Sequence, residues 1–388
     1  MMSKFPKNGE SQVFIFVIAT KTHILGGFCT MKKKILLAIA IMISVVLVLA
    51  ACNGDTNEGN NQPAATEPAA TEPATQNGND TQVPDAGEWI MAPTTRLIMA
   101  TGGTAGVYYP LGGGMASVVN NMTNLQITAN ASGASLDNIR QLARGDADLA
   151  LAQNDVMYYA FTGTSIWADD PAGTVANLAT LMTLYPETIQ IVVLADSGIY
   201  SVADLRGQRV SIGDMGSGVE ANALQILAAY GITRDDIDVV QQGFGASADS
   251  MRDGLLDAFF VTSGTPTAAI MDLGMARDLR ILSISDAAMT SLQADYPFYV
   301  RIEITNDDYG FITTPVQTLA VQATLVTTTD LDEQVAYDIV RAIIEGQADV
   351  AMAHARGGNI SPENAVYGLS VPMHPGAIRY FQEIGVLP

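Results

Sequence analysis

The chain has 388 residues, 48% of them hydrophobic, with 19 basic and 40 acidic side chains and a formal net charge of −21. Residues 1–51 hold six lysines and one glutamate, so the remainder carries 13 arginines against 39 carboxylates, a net charge of −26. A surface of that sign makes nucleic acid and anionic lipid poor partners. Because no lysine follows Lys34, a P-loop, a Schiff-base lysine and a Ser-x-x-Lys nucleophile pair are excluded.

The first 95 residues read as targeting and tether rather than fold. Lys32-Lys33-Lys34, the apolar run Ile35–Ala51 and the small residues before Cys52 are the basic start, apolar middle and cleavage site of a signal peptide. Leu49-Ala50-Ala51-Cys52 resembles the lipobox of bacterial lipoproteins, which makes Cys52 the lipidated first residue of a membrane-anchored chain outside the cytoplasm. The alternative is an uncleaved single-span anchor, since the run is nearly long enough to cross a bilayer. Residues 1–30 precede a better start at Met31 and show no folding pattern. Cys29 and Cys52 are the only cysteines, so a chain starting at Cys52 has no disulfide and is held by its core alone. From Asn53 to about Pro93 the composition turns to Asn, Gly, Thr, Glu, Pro and Ala, with A-A-T-E-P at 64–68 and 69–73; such a segment buries too little apolar surface to order itself. It is read, with Cys52, as a lipidated and disordered linker over 52–95.

The roughly 300 residues that follow are enough for two domains. Apolar runs at Leu97–Ala100, Leu125–Ala129 and Leu149–Ala152 read as buried strands, with amphipathic helices at Leu111–Met122 and Leu136–Arg144, the second capped by Ser135. Further on come Ile189–Leu194, Val202–Leu205, Arg209–Gly213, a helix over Val219–Tyr230 and strands at Asp238–Gln241, Asp257–Thr262 and Ile281–Ser283. Val316–Val326 is a β-branched return strand, and Glu333–Met352 and Gly376–Gly385 are closing helices. The alternation argues for an α/β protein with parallel sheets, whose ligands bind beyond the carboxyl ends of strands.

Five polar or glycine-rich clusters stand at those ends: Thr101–Gly106 with Tyr108 and Tyr109, Ser132–Ser135, Gln153–Asp155, Gly213–Gly218 and Thr262–Pro266. Each alone is a turn or a cap; together they outline a cleft of backbone amides and hydroxyls suited to a small polar or anionic ligand. Gly243–Ala248 imitates a dinucleotide fingerprint and reads as a strand-to-helix loop, while Tyr296–Tyr299 reads as core or hinge packing.

T-G-G-T-A-G-V-Y-Y-P at 101–110, S-G-A-S-L-D-N-I-R-Q-L-A at 132–143, D-A-D-L-A-L-A-Q-N-D at 146–155, S-V-A-D-L-R-G-Q-R-V-S-I-G at 201–213 and H-P-G-A-I-R-Y-F-Q-E-I-G at 374–385 together resemble the TAXI branch of solute receptors for TRAP-type transporters, over about 96–388. The resemblance implies a two-lobed type II periplasmic binding protein fold with a hinged inter-lobe cleft, lobe I being 96–186 and 315–388 and lobe II 187–314. It also implies a glutamate- or 2-oxoglutarate-like ligand delivered to a membrane permease driven by an ion gradient, with the receptor a monomer. Carried over residue by residue, the ligand-binding set is Thr101, Gly102, Gly103, Thr104, Tyr108 and Tyr109, then Ser132, Gly133, Ser135, Gln153 and Asp155, then Gly216, Ser217 and Gly218 with Thr265 and Pro266 nearby. Two departures stand out: Ala134 replaces a glycine usual in the family, adding a methyl near the ligand, and Asp214-Met215 replaces a Ser-Pro, with Asp214 expected to face solvent.

No enzyme reading finds its residues. There is no G-x-S-x-G or H-E-x-x-H, and His354 and His374 have neither cysteine neighbours nor metal-site spacing, so no metal, cofactor or catalytic residue is expected. The same lobes could serve a sensing protein that reports ligand to a membrane kinase.

Overall fold

The computed structural model describes residues 89–388. The signal peptide, Cys52 and the linker up to residue 88 lie outside the described residues. Among the described residues, ten strands form one sheet. Short parallel strands make its two ends: β1 (Arg96–Ala100), β2 (Gln126–Asn130) and β3 (Leu149–Gln153) at one, and β5 (Arg209–Ser211), β6 (Asp238–Val240) and β7 (Ala258–Ser263) at the other. Two long antiparallel strands, β4 (Leu178–Leu194) and β10 (Val316–Thr328), join them in the order β2-β1-β3-β10-β4-β7-β5-β6. β8 (Leu279–Ile281) pairs with β4, and β9 (Val300–Ile304) with β10.

The sheet is therefore mixed, a correction to the all-parallel expectation, and the run at Ile189–Leu194 is only the second half of a 17-residue strand. β4 pairs with β10 up to Thr188 and with β7 from Thr188 to Val193. β10 in turn pairs with β3 over Ala323–Val326 and with β9 over Val316–Ala320. Both long strands thus change partners at the same level, near Tyr185–Thr188 and Ala320–Ala323, next to register shifts at Ala323/Thr324 and Leu325/Val326 that interrupt their ladder. Pro186 sits at that level, and its missing N–H suits a strand at an irregularity.

Eleven helices cover the described sheet: α1 (Tyr108–Met122), α2 (Ser135–Arg144), α3 (Asn154–Thr162), α4 (Gly218–Ala229), α5 (Phe244–Arg252), α6 (Ala268–Ala276), α7 (Asp286–Asp295), α8 (Glu333–Glu345), α9 (Gln347–Ala353), α10 (Pro362–Ala365) and α11 (Pro375–Glu383). Side chains alternate across a strand, so a strand buried on both faces must be apolar throughout. β3 shows this: Leu149 and Leu151 enter a core with α1, α8 and α11, while Ala150 and Ala152 enter another with α2, α3 and Trp167. β7 does the same at the other end, with Phe260 in one core and Phe259 and Val261 in another. Each large apolar side chain so enclosed contributes about 1.5–3 kcal/mol.

Several local expectations shift. The closing helix over Glu333–Met352 is broken at Gly346 into α8 and α9, and a Cβ at Gly346 would lie 2.4 Å from Val118 Cγ1. Val202–Leu205 is a helical turn closed by a Ser201–Asp204 capping box. Gly243–Ala248 is not a loop: α5 begins at Phe244 directly after Gly243. Tyr296–Tyr299 does pack in the core, with the Phe298 ring against Tyr158 and Tyr159.

Gly376 marks a close contact between α11 and α8. A Cβ built there lies 2.2 Å from the Glu333 carbonyl oxygen and 2.8 Å from the Tyr337 nitrogen, so α11 can approach α8 only without a side chain. Gly376→Ala is expected to destabilise the protein by about 3 kcal/mol through forced separation of the two helices, read as a lowered urea midpoint with unchanged slope.

Candidate functional site

Two connected chambers open where the long strands change partners. The inner one, of about 50 Å³, is walled by Gly102, Gly103, Tyr108, Ser135, Gln153 and Gly218 from the expected set. Its other walls include Ala134, Glu187, Phe244, Thr262 and Ser263. The outer one, of about 260 Å³, shares Gly103, Ala134 and Phe244 and adds Thr104, Ser132, Gly133, Asp214 and Ser217. Four helices begin at these walls: α1 at Tyr108, α2 at Ser135, α4 at Gly218 and α5 at Phe244. Their first amides, free of intrahelical partners, give the chambers a positive lining without a positive side chain.

The walls are held by a buried framework. The Asn138 amide, fully enclosed, donates from Nδ2 to the carbonyls of Thr101 (2.7 Å) and Leu151 (2.6 Å), fixing the loop after β1 to β3. Ser132 Oγ donates to Asn138 Oδ1 at 2.6 Å, and Gly133 N donates to Asp137 Oδ2 at 3.1 Å. Ser135 is the first residue of α2 rather than its cap; its hydroxyl accepts from the Gln153 backbone N–H at 3.1 Å instead. Ser217 caps α4, accepting from Glu220 N at 3.3 Å. Gly216 N donates to Glu220 Oε2.

The remaining expected residues surround the chambers without lining them. Thr101 is buried beneath them and donates to the Asn130 carbonyl at 2.6 Å. Tyr109 is 39% exposed and lines neither chamber. Thr265, before Pro266, is gripped by Asp308 and by Arg356, whose Nε donates to the Thr265 carbonyl at 2.6 Å and which pairs with Asp308 at 3.2 Å. Asp155 is buried in a polar seam between α3 and α4: Asn222 Nδ2 donates to Asp155 Oδ2 (2.9 Å) and to the Tyr299 hydroxyl (3.0 Å), and that hydroxyl donates to Gln225 Oε1 (2.5 Å). Burial pushes the Asp155 carboxyl up to about 6 against the lowering effect of the Asn222 bond. Asp214 was expected to face solvent; it is exposed but lines the outer chamber, so it faces the cleft.

Sequence reasoning missed Glu187. It lies on β4 at the partner change, 2% exposed, and is the one charged side chain in the strand. Gln153 Nε2 donates to its Oε2 at 3.1 Å; its Oε1 has no hydrogen-bond partner among the described residues, and neither carboxylate oxygen meets an arginine. Burial holds its pKa up at about 8, opposed by the nearby Tyr108 hydroxyl and the Gln153 hydrogen bond and reinforced by the charge of Asp155. The signal was present in the sequence: a lone carboxylate in an apolar 17-residue run is costly unless it has a task. Phe244 was missed because its helix was read as a loop.

Unpartnered polar atoms are concentrated here. Asp155 Oδ1, Asn222 Oδ1, Tyr185 Oη and Ser370 Oγ belong to residues that line neither chamber, whereas Tyr108 Oη, Gln153 Oε1, Glu187 Oε1 and Thr262 Oγ1 all belong to inner-chamber residues. Each costs about 1–3 kcal/mol if nothing meets it, so their convergence marks a place built for a polar visitor.

Ala134 joins both chambers in a backbone conformation of φ 68° and ψ −150°, a region that favours glycine. Ala134→Gly is expected to stabilise the protein by about 1 kcal/mol, since relief of strain of about 1–3 kcal/mol exceeds the added entropy cost of about 0.5–1 kcal/mol. A raised thermal midpoint checks it.

Among solved structures, the periplasmic binding protein BugD matches with a TM-score of 0.50 at 10% identity, covering 76% of this chain and 95% of that one. The alkanesulfonate-binding protein SsuA from Xanthomonas axonopodis pv. citri, bound to MOPS, gives 0.42 at 15% identity over 76% and 81%. The substrate binding protein of an amino acid ABC transporter gives 0.42 at 12% over 67% and 97%. The BugD match shows the fold to be that of a periplasmic binding protein, with the chambers at the level where its long strands exchange partners. With a family model matching residues 99–385, the chain belongs to the NMT1-like family.

Proposed function

We propose that the protein is an extracytoplasmic solute-binding receptor, tethered by lipid at Cys52, that captures a small organic acid or amino acid and delivers it to a TRAP-type permease. The observation that carries the reading is the set of buried, unpartnered polar atoms around an inner chamber at the starts of four helices. A catalytic cleft needs a nucleophile and a base in contact; this one offers amides, hydroxyls and carboxyl oxygens that bind without reacting. The motifs shared with the TAXI branch supply the permease class. In this reading 96–186 with 315–388 forms one lobe and 187–314 the other, the boundary falling within β4 beside Glu187. Closure over the ligand then amounts to a small rotation about β4 and β10, and the permease reads the closed form.

Thermal unfolding of the protein, refolded to remove carried-over solute, tests this against glutamate, glutamine, 2-oxoglutarate, succinate, malate and neutral amino acids. A ligand at 100 times its dissociation constant is expected to stabilise by about 2.7 kcal/mol. No shift with any of them would contradict the receptor reading.

A further inference from the structure

The charged side chains of the chambers are acidic. Among all the side chains that wall them, the charged ones are Glu187 and Asp214, and no arginine is present. A dicarboxylate would bring two more negative charges to such a place, with helix starts alone to receive them. The unpartnered atoms argue the same way. Gln153 Oε1 can only accept from a ligand, as can Glu187 Oε1 once the carboxyl is ionised, and Tyr108 Oη and Thr262 Oγ1 can accept as well as donate. Four acceptors around about 50 Å³ call for a compact group with several donors, and an ammonium offers three. A neutral Glu187 donating to a ligand carboxylate would satisfy one atom and leave Gln153 Oε1 facing another acceptor.

Resting on the receptor reading, we infer that Glu187 is the counter-ion for a ligand ammonium, and that the ligand is a small zwitterion with one amino nitrogen and a single carboxylate. The ammonium enters the inner chamber between Glu187, Gln153 and Tyr108. The carboxylate lies in the outer chamber, toward the starts of α2, α4 and α5 at Ala134, Ser217 and Gly243. Buried side chains aimed into the same space supply what helix starts alone do not: Glu187 is 2% exposed, Gln153 2%, Thr262 4% and Tyr108 8%. A buried carboxylate is costly while it lacks a cation, and the incoming ammonium removes that cost. Selectivity against a deaminated analogue follows, because such an analogue leaves the acceptors unmet.

Calorimetric titration of the purified full chain with neutral α-amino acids, and with the deaminated acid matching each one that binds, tests the inference. Succinate and 2-oxoglutarate are titrated beside them. At least one amino acid is expected to bind, with its deaminated partner at least 100-fold weaker and both diacids weaker still. Glu187→Gln, an isosteric change checked for folding by circular dichroism, is expected to lose at least 100-fold for the amino acid. Equal binding by the deaminated acid or a diacid would overturn the inference and leave the receptor reading standing, as would full affinity in Glu187→Gln. Binding by none of these compounds would overturn both.

Discussion

Glu187→Gln is expected to make the unliganded protein more stable at pH 8 and to flatten the pH dependence of its unfolding. The Glu187 carboxyl titrates at about 8 when folded against 4.5 as its ordinary value. Between those values the folded state holds more of this proton than the unfolded state, so stability falls as pH rises through the window. The stabilised form is the protonated one, fully present below the unfolded pKa. Asp155 adds a slope of the same sign between 3.8 and about 6, which leaves Glu187 as the larger contributor above pH 6. The loss from pH 5 to pH 8 is on the order of a few kcal/mol, enough to move a thermal midpoint by several degrees. Glutamine keeps the shape and cannot titrate. Thermal midpoints at pH 5, 6, 7 and 8 for both proteins read the effect directly; parallel curves would show that Glu187 is not an uncompensated buried acid.

Gly218→Ala is expected to weaken ligand binding at least 100-fold while the protein stays folded. A Cβ on Gly218 lies 1.9 Å from Gln153 Oε1 and 2.5 Å from its Cδ. The obstructing atoms are the end of a side chain, so the backbone need not move, but that side chain is the one donating to Glu187 at 3.1 Å. Displacing it breaks the contact that orients Glu187 and pushes the amide into the small inner chamber. A 100-fold loss corresponds to about 2.7 kcal/mol, the cost of one or two well-placed buried hydrogen bonds. Unaltered far-ultraviolet dichroism together with lost binding is the expected pair of results. Retained affinity would mean that Gln153 moves aside freely.

How much of this was legible in the sequence depended on the kind of signal. Runs such as Leu149–Ala152 and Val316–Val326 gave strands because a strand covered on both faces has to be apolar at consecutive positions. The glycine and serine clusters at strand ends gave most of the chamber walls, since loops that hold polar ligands against helix starts need small residues. Antiparallel pairing of β4 and β10 was not legible: periodicity gives burial, not direction. The first half of β4 was missed because Thr180, Thr183 and Pro186 interrupt its apolar pattern, although both threonines are buried and Thr183 is satisfied by the Tyr367 carbonyl. Ser135 looked like a cap because capping residues precede helices; tertiary contact gave its hydroxyl to Gln153 instead. Glu187 escaped because its meaning depends on what surrounds it, and its surroundings come from α1, β3 and β7, far away in the chain.

The central claim is that a small solute binds between these chambers' walls. It is tested most directly by titrating the best-binding compound of the panel, in a calorimeter, into the wild type and into Gly218→Ala under the same conditions. The account predicts one site per chain in the wild type and affinity at least 100-fold weaker in the variant. Equal dissociation constants in the two proteins would contradict it, by placing the solute elsewhere on the molecule.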